Sequence, residues 1–119
     1  MTGNISGANI IANAYHIRSV ATSISAAGST QGGGTVLAKE FNQVSTVASG
    51  AGVVLPVGVP GLAITITNSS ANSLIVYPAS GASINALATN AGYTHSTLAT
   101  LQYITLTGTQ WYTVGGTYA

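Results

Sequence analysis

Charge is what this sequence of 119 residues lacks most. Only 3% of its residues are charged, against about 25% in an average soluble domain. The whole set is Arg18, Lys39 and Glu40, and there is no Asp. Two basic side chains cannot neutralise a run of phosphates, so nucleic acid is excluded as the main partner. The absence of Asp excludes a Ser-His-Asp triad, in which only Glu40 could orient a histidine, and a single acidic side chain excludes the paired carboxylates of glycoside hydrolysis within one chain.

Cysteine and long apolar runs are missing as well. Without cysteine the chain has no disulfide, no thiol nucleophile and no cysteine metal ligand. Hydrophobic residues make up 46% of the chain, but Ser, Thr, Gly and Asn interrupt every run before it could span a membrane. The N-terminus lacks the basic and apolar regions of a signal peptide. We therefore expect no membrane partner and assembly in a reducing cytoplasm.

The histidines offer little for chemistry. A site of two histidines and one carboxylate would have to bring together His16, His95 and Glu40, whose spacing is not that of metal ligands. Alternation in the segment YTHST predicts that His95 lies on a strand surface or at an interface. We expect no metal, no cofactor and no catalytic residue, and hence a protein that is not an enzyme.

The first 34 residues differ from the rest of the chain. The segment NIIANAYHIRSV (9–20) is moderately apolar, and ATSISAAGSTQGGG (21–34) has the small residues of a flexible linker. A solvated tail would contain fewer large apolar groups. The sequence therefore predicts an arm and linker over residues 1–34, which contacts a neighbouring subunit, and one domain over residues 35–119. The predicted contact residues of the arm are Ile5, Ile10, Ile11, Tyr15, Ile17 and Val20.

From Thr35 onward the pattern is that of short strands. Two candidates flank Lys39 and Glu40, and a third covers residues 52–55. LAITITN (62–68) and LIVY (74–77) are separated by the turn cluster SSANS, which predicts a β-hairpin. Residues 92–114 carry the last three strands, with a tight turn at Gly108. About eight short strands predict an all-β fold, an antiparallel β-sandwich or jelly-roll-like module.

The stretch LIVYPASGASINAL (74–87) leaves its strand abruptly. Pro78 ends the strand because it lacks an N–H group, and small residues follow it. We expect Ile84 and Leu87 to plug one end of the core, and Asn85 to bond loop backbone. The stretch is thus predicted to be a core-capping crossover. Its residues are Tyr77, Pro78, Ile84, Asn85 and Leu87.

Two surface patterns suggest other binding functions. Trp111 and Tyr112, with three further tyrosines, could form a sugar-binding platform, although core and subunit contacts are the commoner role of such residues. Paired threonines at 65 and 67 and at 105 and 107 could order ice. They recur at no fixed period, unlike those of ice-binding solenoids, so the wet face of a half-buried strand is the simpler explanation.

Three segments together resemble a type of small virion protein of tailed phages. They are VSTVASGAGVVLP (44–56), LAITITNSSANSLIVYPASGASINAL (62–87) and YITLTGTQWYTV (103–114). The shared features are an apolar turn ending in Leu-Pro, a strand reaching Asn, a Val-Tyr-Pro strand end, a Gly-x-x-Ile-Asn loop and a closing Trp-Tyr strand. The resemblance covers about two-thirds of the chain. It implies a β-sandwich module of head decoration proteins or of tail-fibre and baseplate components, with no catalytic residues.

These observations lead to one expected function and one alternative. We expect a phage capsid decoration (cement) protein, a homotrimer on the virion surface that bridges and stabilises major capsid protein subunits. Contacts with few charges resist changes of salt and pH, as a cement protein requires. The alternative is a tail-fibre or baseplate module that recognises a host glycan.

Overall fold

Two β-sheets face each other across one apolar core in a computed structural model that describes residues 13–115. The larger sheet has six strands in the order β1-β3-β5-β9-β10-β7, and the smaller has four in the order β2-β4-β6-β8. In chain order the elements are β1 Val20–Ser25, a 3-10 turn Gln31–Gly33, β2 Thr35–Val36, β3 Phe41–Thr46, β4 Gly52–Val54, β5 Ala63–Asn68, β6 Leu74–Tyr77, β7 Ser83–Ile84, β8 Tyr93–His95, β9 Thr100–Thr105 and β10 Gln110–Val114. The predicted all-β class is confirmed.

The first six strands wind between the two sheets like a short solenoid. Strands β1, β3 and β5 lie side by side and parallel in the large sheet. Strands β2, β4 and β6 do the same in the small sheet. Each turn of chain therefore adds one strand to each sheet. The prediction of antiparallel pairing is wrong for these strands, because the chain returns to a parallel neighbour by passing through the opposite sheet.

The remaining strands close this stack. β8 pairs antiparallel with β6, and β9 pairs antiparallel with β5. β9 and β10 form the predicted hairpin through the turn at Gly108, which has a positive φ of 91°. β7 pairs parallel with β10 at the far edge of the large sheet. The expected antiparallel arrangement thus holds for β8, β9 and the closing hairpin.

Strands β5 and β6 do not form the predicted hairpin, because they lie in different sheets. Both strands bury one apolar face, and the connection over residues 69–73 lets these two faces meet across the core. The buried side chains are Ile64, Ile66, Leu74 and Val76. The buried Asn68 side chain holds the connection: its Nδ2 donates to the Asn72 carbonyl at 2.9 Å, and its Oδ1 accepts from the Ser70 N–H at 3.0 Å.

The predicted boundary between residues 34 and 35 is also wrong. β1 is a strand of the large sheet, so the domain includes the chain from Val20 onward. The small-residue tract after it is held by hydrogen bonds. Ala27 and Gly52 exchange two backbone hydrogen bonds, and Gln31 Nε2 donates to the Pro78 carbonyl at 2.7 Å. The small residues of this tract, although typical of linkers, allow it to pack closely against β4 and β6.

The core lies between the sheets and is closed at one end by the crossover after β6. Trp111 and Ile84 are register partners, and both are completely buried. Tyr103 and Leu55 are also fully enclosed. No helix within residues 13–115 is long and apolar enough to cross a membrane.

The tightest packing in the small sheet surrounds Gly52. A Cβ atom at this position would lie 2.8 Å from the Ile75 carbonyl oxygen and 2.7 Å from Tyr77 Cε2. The backbone oxygen cannot move without disturbing the pairing of β4 with β6. We therefore expect Gly52→Ala to lower the free energy of unfolding by about 1–3 kcal/mol, measured by urea denaturation. Gly32→Ala is the matched control, because no atom beyond its two chain neighbours lies within 4 Å of its added methyl group; equal losses in both variants would contradict this account.

Candidate functional site

The outer face of the six-stranded sheet carries an aligned row of uncharged side chains. Pairing places Val20, Phe41, Thr65, Gln102 and Val114 side by side across five strands. Phe41 is 44% exposed and Val20 57% exposed, although both are large and apolar. A solvated sheet face normally carries polar residues. This row therefore has the composition of a contact surface, and we call it the neutral face.

Two further aligned rows extend the neutral face. Ala63, Ile104 and Tyr112 form one of them across β5, β9 and β10. Thr67 and Thr100 are partners in the other, and their hydroxyl groups are hydrogen bonded to each other at 2.9 Å. The sequence singled out the threonine pairs 65/67 and 105/107 as a possible ice-ordering array. Because the Thr67 hydroxyl is bonded to Thr100 and Thr105 is buried, these two pairs do not form a regular outward array.

A shallow groove of about 220 Å³ lies in the neutral face between β1, β3 and β5. Val20 and Phe41 contribute large apolar groups to it, and Thr65 and Thr67 contribute the opposite side. It lies beside an irregularity of β1, which has one extra residue between the pairs Ala21–Asn42 and Ile24–Val44. The full lining is Val20, Ala21, Thr22, Phe41, Asn42, Gln43, Thr65 and Thr67.

The described part of the arm leaves the domain at the edge of the neutral face. Tyr15 is 81% exposed and Ile17 is 90% exposed. Arg18 then forms an ion pair with Glu40 at 3.0 Å. Val20, expected in the arm, is instead the first residue of β1. The predicted arm residues Ile5, Ile10 and Ile11 lie outside the described residues.

The crossover residues are placed partly as expected. Ile84 is completely buried in the core and Pro78 is buried at the end of β6. Leu87 is 40% exposed, so the prediction that it plugs the core is wrong. Its N–H donates to the Ile84 carbonyl in a tight turn, which carries the side chain past the core.

Asn85 and Tyr77 make polar contacts that differ from the predicted loop bonds. The Asn85 side chain bonds Thr113 of strand β10 at both its oxygen and its nitrogen, rather than loop backbone. The Asn85 N–H donates to the Trp111 carbonyl at 2.8 Å. The Tyr77 hydroxyl donates to the Ser29 carbonyl at 3.1 Å. Asn85 therefore attaches the crossover to the large sheet, and Tyr77 attaches the small-residue tract to the small sheet.

His95 is completely buried between the sheets, so the prediction of a surface or interface position is wrong. Its Nε2 lies 2.8 Å from the Ala99 carbonyl oxygen, which can only accept, so this nitrogen carries the proton. Nδ1 then accepts a hydrogen bond from the Tyr103 hydroxyl at 2.7 Å. Both ring nitrogens of the neutral imidazole are satisfied. Alternation along YTHST could not reveal this, because the partners belong to the next connection and to β9.

Burial lowers the pKa of His95 below its ordinary value of 6.5, and the hydrogen bond to the Ala99 carbonyl opposes part of that effect. Burial, with a smaller contribution from Tyr93, raises the pKa of Tyr103. Both side chains are therefore neutral at neutral pH. Protonated His95 would carry an uncompensated charge in the core, where the ring stacked on it is that of Tyr103.

His95 should make the stability of the protein depend on pH. The unfolded chain takes up a proton as pH falls through about 6.5, whereas the folded chain resists protonation until its lowered pKa is reached. The free energy of unfolding should therefore be constant above about pH 7 and fall below it, with a slope of at most about 1.4 kcal/mol per pH unit. Urea unfolding between about pH 5 and pH 8 measures this. His16→Gln, in the exposed arm, should keep the slope; a flat profile in the unaltered protein would refute the assignment.

The aromatic residues do not form the sugar-binding platform that the sequence allowed. Trp111 and Tyr103 are completely buried. Tyr112 is 44% exposed and stands on the neutral face opposite Ile104. Within residues 13–115, no three His, Asp or Glu side chains come close enough together to hold a metal ion.

Comparison with family models, with curated proteins and with solved structures finds no match for this chain. The site must therefore be interpreted from its own geometry. That geometry is the neutral face with its shallow groove, next to an arm with exposed apolar side chains. Such an arrangement can bind a protein surface over a broad area.

Proposed function

We propose that this protein is a phage capsid decoration (cement) protein, which acts mechanically by bridging major capsid protein subunits on the virion surface. The observation that carries the proposal is the neutral face, whose aligned row spans five strands without a charged side chain. The resemblance of three segments to small virion proteins supports the same function. No catalytic step is part of it.

The balance of apolar and charged groups on the surface supports a protein that works in contact with other chains. Large exposed apolar side chains outnumber the three charged residues of the whole sequence. A free monomer with so little charge tends to associate. The exposed set is Tyr15, Ile17, Val20, Val36, Phe41, Val57, Val59, Leu87, Leu98, Leu106, Tyr112 and Val114.

The positions of the face and the arm suit a bridge between neighbours. Val20 belongs to the aligned row of the neutral face, and the arm begins immediately before it. One copy can therefore lay its sheet on one surface while the arm reaches the next. A homotrimer at threefold positions of an icosahedral shell would repeat this contact at every site.

The tail-fibre or baseplate alternative loses its main support, because Trp111 is buried in the core. The location of the protein on the virion distinguishes this alternative from a capsid decoration protein. Antibodies raised against the purified chain should label particles released from host cells that carry the gene. We expect gold particles distributed over the heads in electron micrographs. Label confined to tails or baseplates would favour the alternative, and unlabelled particles would refute a virion role.

A charge introduced into the neutral face should weaken binding to heads. We expect Tyr112→Lys, on the neutral face but outside the groove lining, to reduce binding of the added protein to heads made without this gene by at least about tenfold, because an unpaired buried ammonium group costs more than 1.4 kcal/mol. Thr94→Lys on the exposed outer side of β8 is the control and should bind normally. Co-sedimentation measures both, and binding of the unaltered protein should persist in about 1 M salt. Equal binding by the two variants would show that another surface makes the contact.

A further inference from the structure

We propose that the groove between β1, β3 and β5 receives residues 1–12 of a second copy of this chain, so that copies exchange arms around a closed ring. This inference builds on the proposed function, because it names the partner of the arm. It concerns contacts between copies alone. It can therefore fail or succeed independently of any binding to a capsid.

The groove has the size and chemistry for an aliphatic segment. Its volume is about 220 Å³, and a cavity of about 150 Å³ already holds a benzene molecule. Val20 and Phe41 provide apolar contact area, while Thr65 and Thr67 provide neutral hydroxyl groups at the other side. None of the lining residues is charged. A charged segment would lose its hydration there without gaining an ionic partner.

Residues 1–12 have the matching composition. Their sequence, MTGNISGANIIA, contains three isoleucines, several small residues and no charged side chain. Isoleucine is among the side chains most often found fully buried in proteins.

The root of the arm is fixed beside the groove, and this favours the groove of another copy. Arg18 is paired with Glu40 at 3.0 Å, and the Ser19 carbonyl accepts from the Phe41 N–H at 2.9 Å. Residues 13–17 beyond this anchor are all exposed rather than laid along the chain's own groove. At about 3.3–3.6 Å per residue they can carry the preceding segment well beyond the edge of the sheet.

Arm exchange also closes a ring. Each copy donates one segment and accepts one segment. In a ring of copies related by a rotation axis, every groove is therefore filled and no arm is left free. Three copies satisfy this rule and match the homotrimer of the proposed function. The ring then removes the exposed apolar area of Val20 and Phe41 from water.

The absence of cysteine makes the contact easy to map by disulfide trapping. One variant carries Ile11→Cys, a second carries Thr65→Cys beside the groove, and a control carries Thr94→Cys on the exposed outer side of β8. The Ile11→Cys chain is mixed with each of the others under mild oxidation. We expect a disulfide-linked heterodimer with Thr65→Cys at least about tenfold more abundant than with Thr94→Cys, identified by mass spectrometry of the joined peptides.

Light scattering of the unaltered protein should give about three times the chain mass of 11.8 kDa, and Ile10→Asp with Ile11→Asp should give a monomer. A double variant, Ile11→Cys with Thr65→Cys, that closes only within one chain would overturn the inference, as would trapping no better than the Thr94→Cys control. Monomeric protein that still labels phage heads would refute arm exchange and the homotrimer, and leave the proposed decoration of the capsid intact. Exchanged arms on a protein absent from particles would support arm exchange and refute the proposed function.

Discussion

The parallel stacking of β1, β3 and β5 is the constraint on which the rest of the structure depends. Two parallel strands can be neighbours only if the chain crosses elsewhere between them. In this protein the crossing passes through the second sheet, so each turn of chain supplies both layers of the core. The apolar faces of the two layers then bury each other. The outer face of the large sheet is consequently built from positions distant in sequence, such as Val20, Phe41 and Thr65.

Strand positions could be predicted from the sequence because the alternation of apolar and polar residues along a strand shows which of its faces is buried. Burial alternates along both β5 and β9, with Ile64 and Ile66 buried in the first and Leu101 and Tyr103 in the second. The residues of a strand do not show to which of the two sheets the strand belongs. A hairpin and a crossing between sheets both need a short polar connection, and SSANS fits either. The deciding contact is made by Asn68, whose buried side chain bonds the connection that it precedes.

The candidate site was predictable only in composition. The sequence indicated an uncharged, contact-forming surface, but it did not show that β1 belongs to the sheet that carries it. The tract before Thr35 has the small residues of a linker, and such residues also allow the close approach of backbones. Gln31 and Ala27 make the hydrogen bonds that distinguish the two cases, and their partners lie more than twenty residues away in sequence. His95 illustrates the same limit, since its burial depends on Tyr103 and Ala99.

The scarcity of charge governs both the inside and the outside of the molecule. The buried polar side chains Asn68, His95 and Thr105 are neutral and bond carbonyls, hydroxyls or backbone N–H groups. Neutral hydrogen bonds lose little strength in salt, unlike exposed ion pairs. In the proposed contact, the same chemistry on the outer face would leave apolar burial as the main source of binding energy, and this energy grows with area rather than with charge complementarity. A six-stranded sheet with an arm at its edge is a geometry that can supply such area, because the arm can extend a contact beyond the width of the sheet.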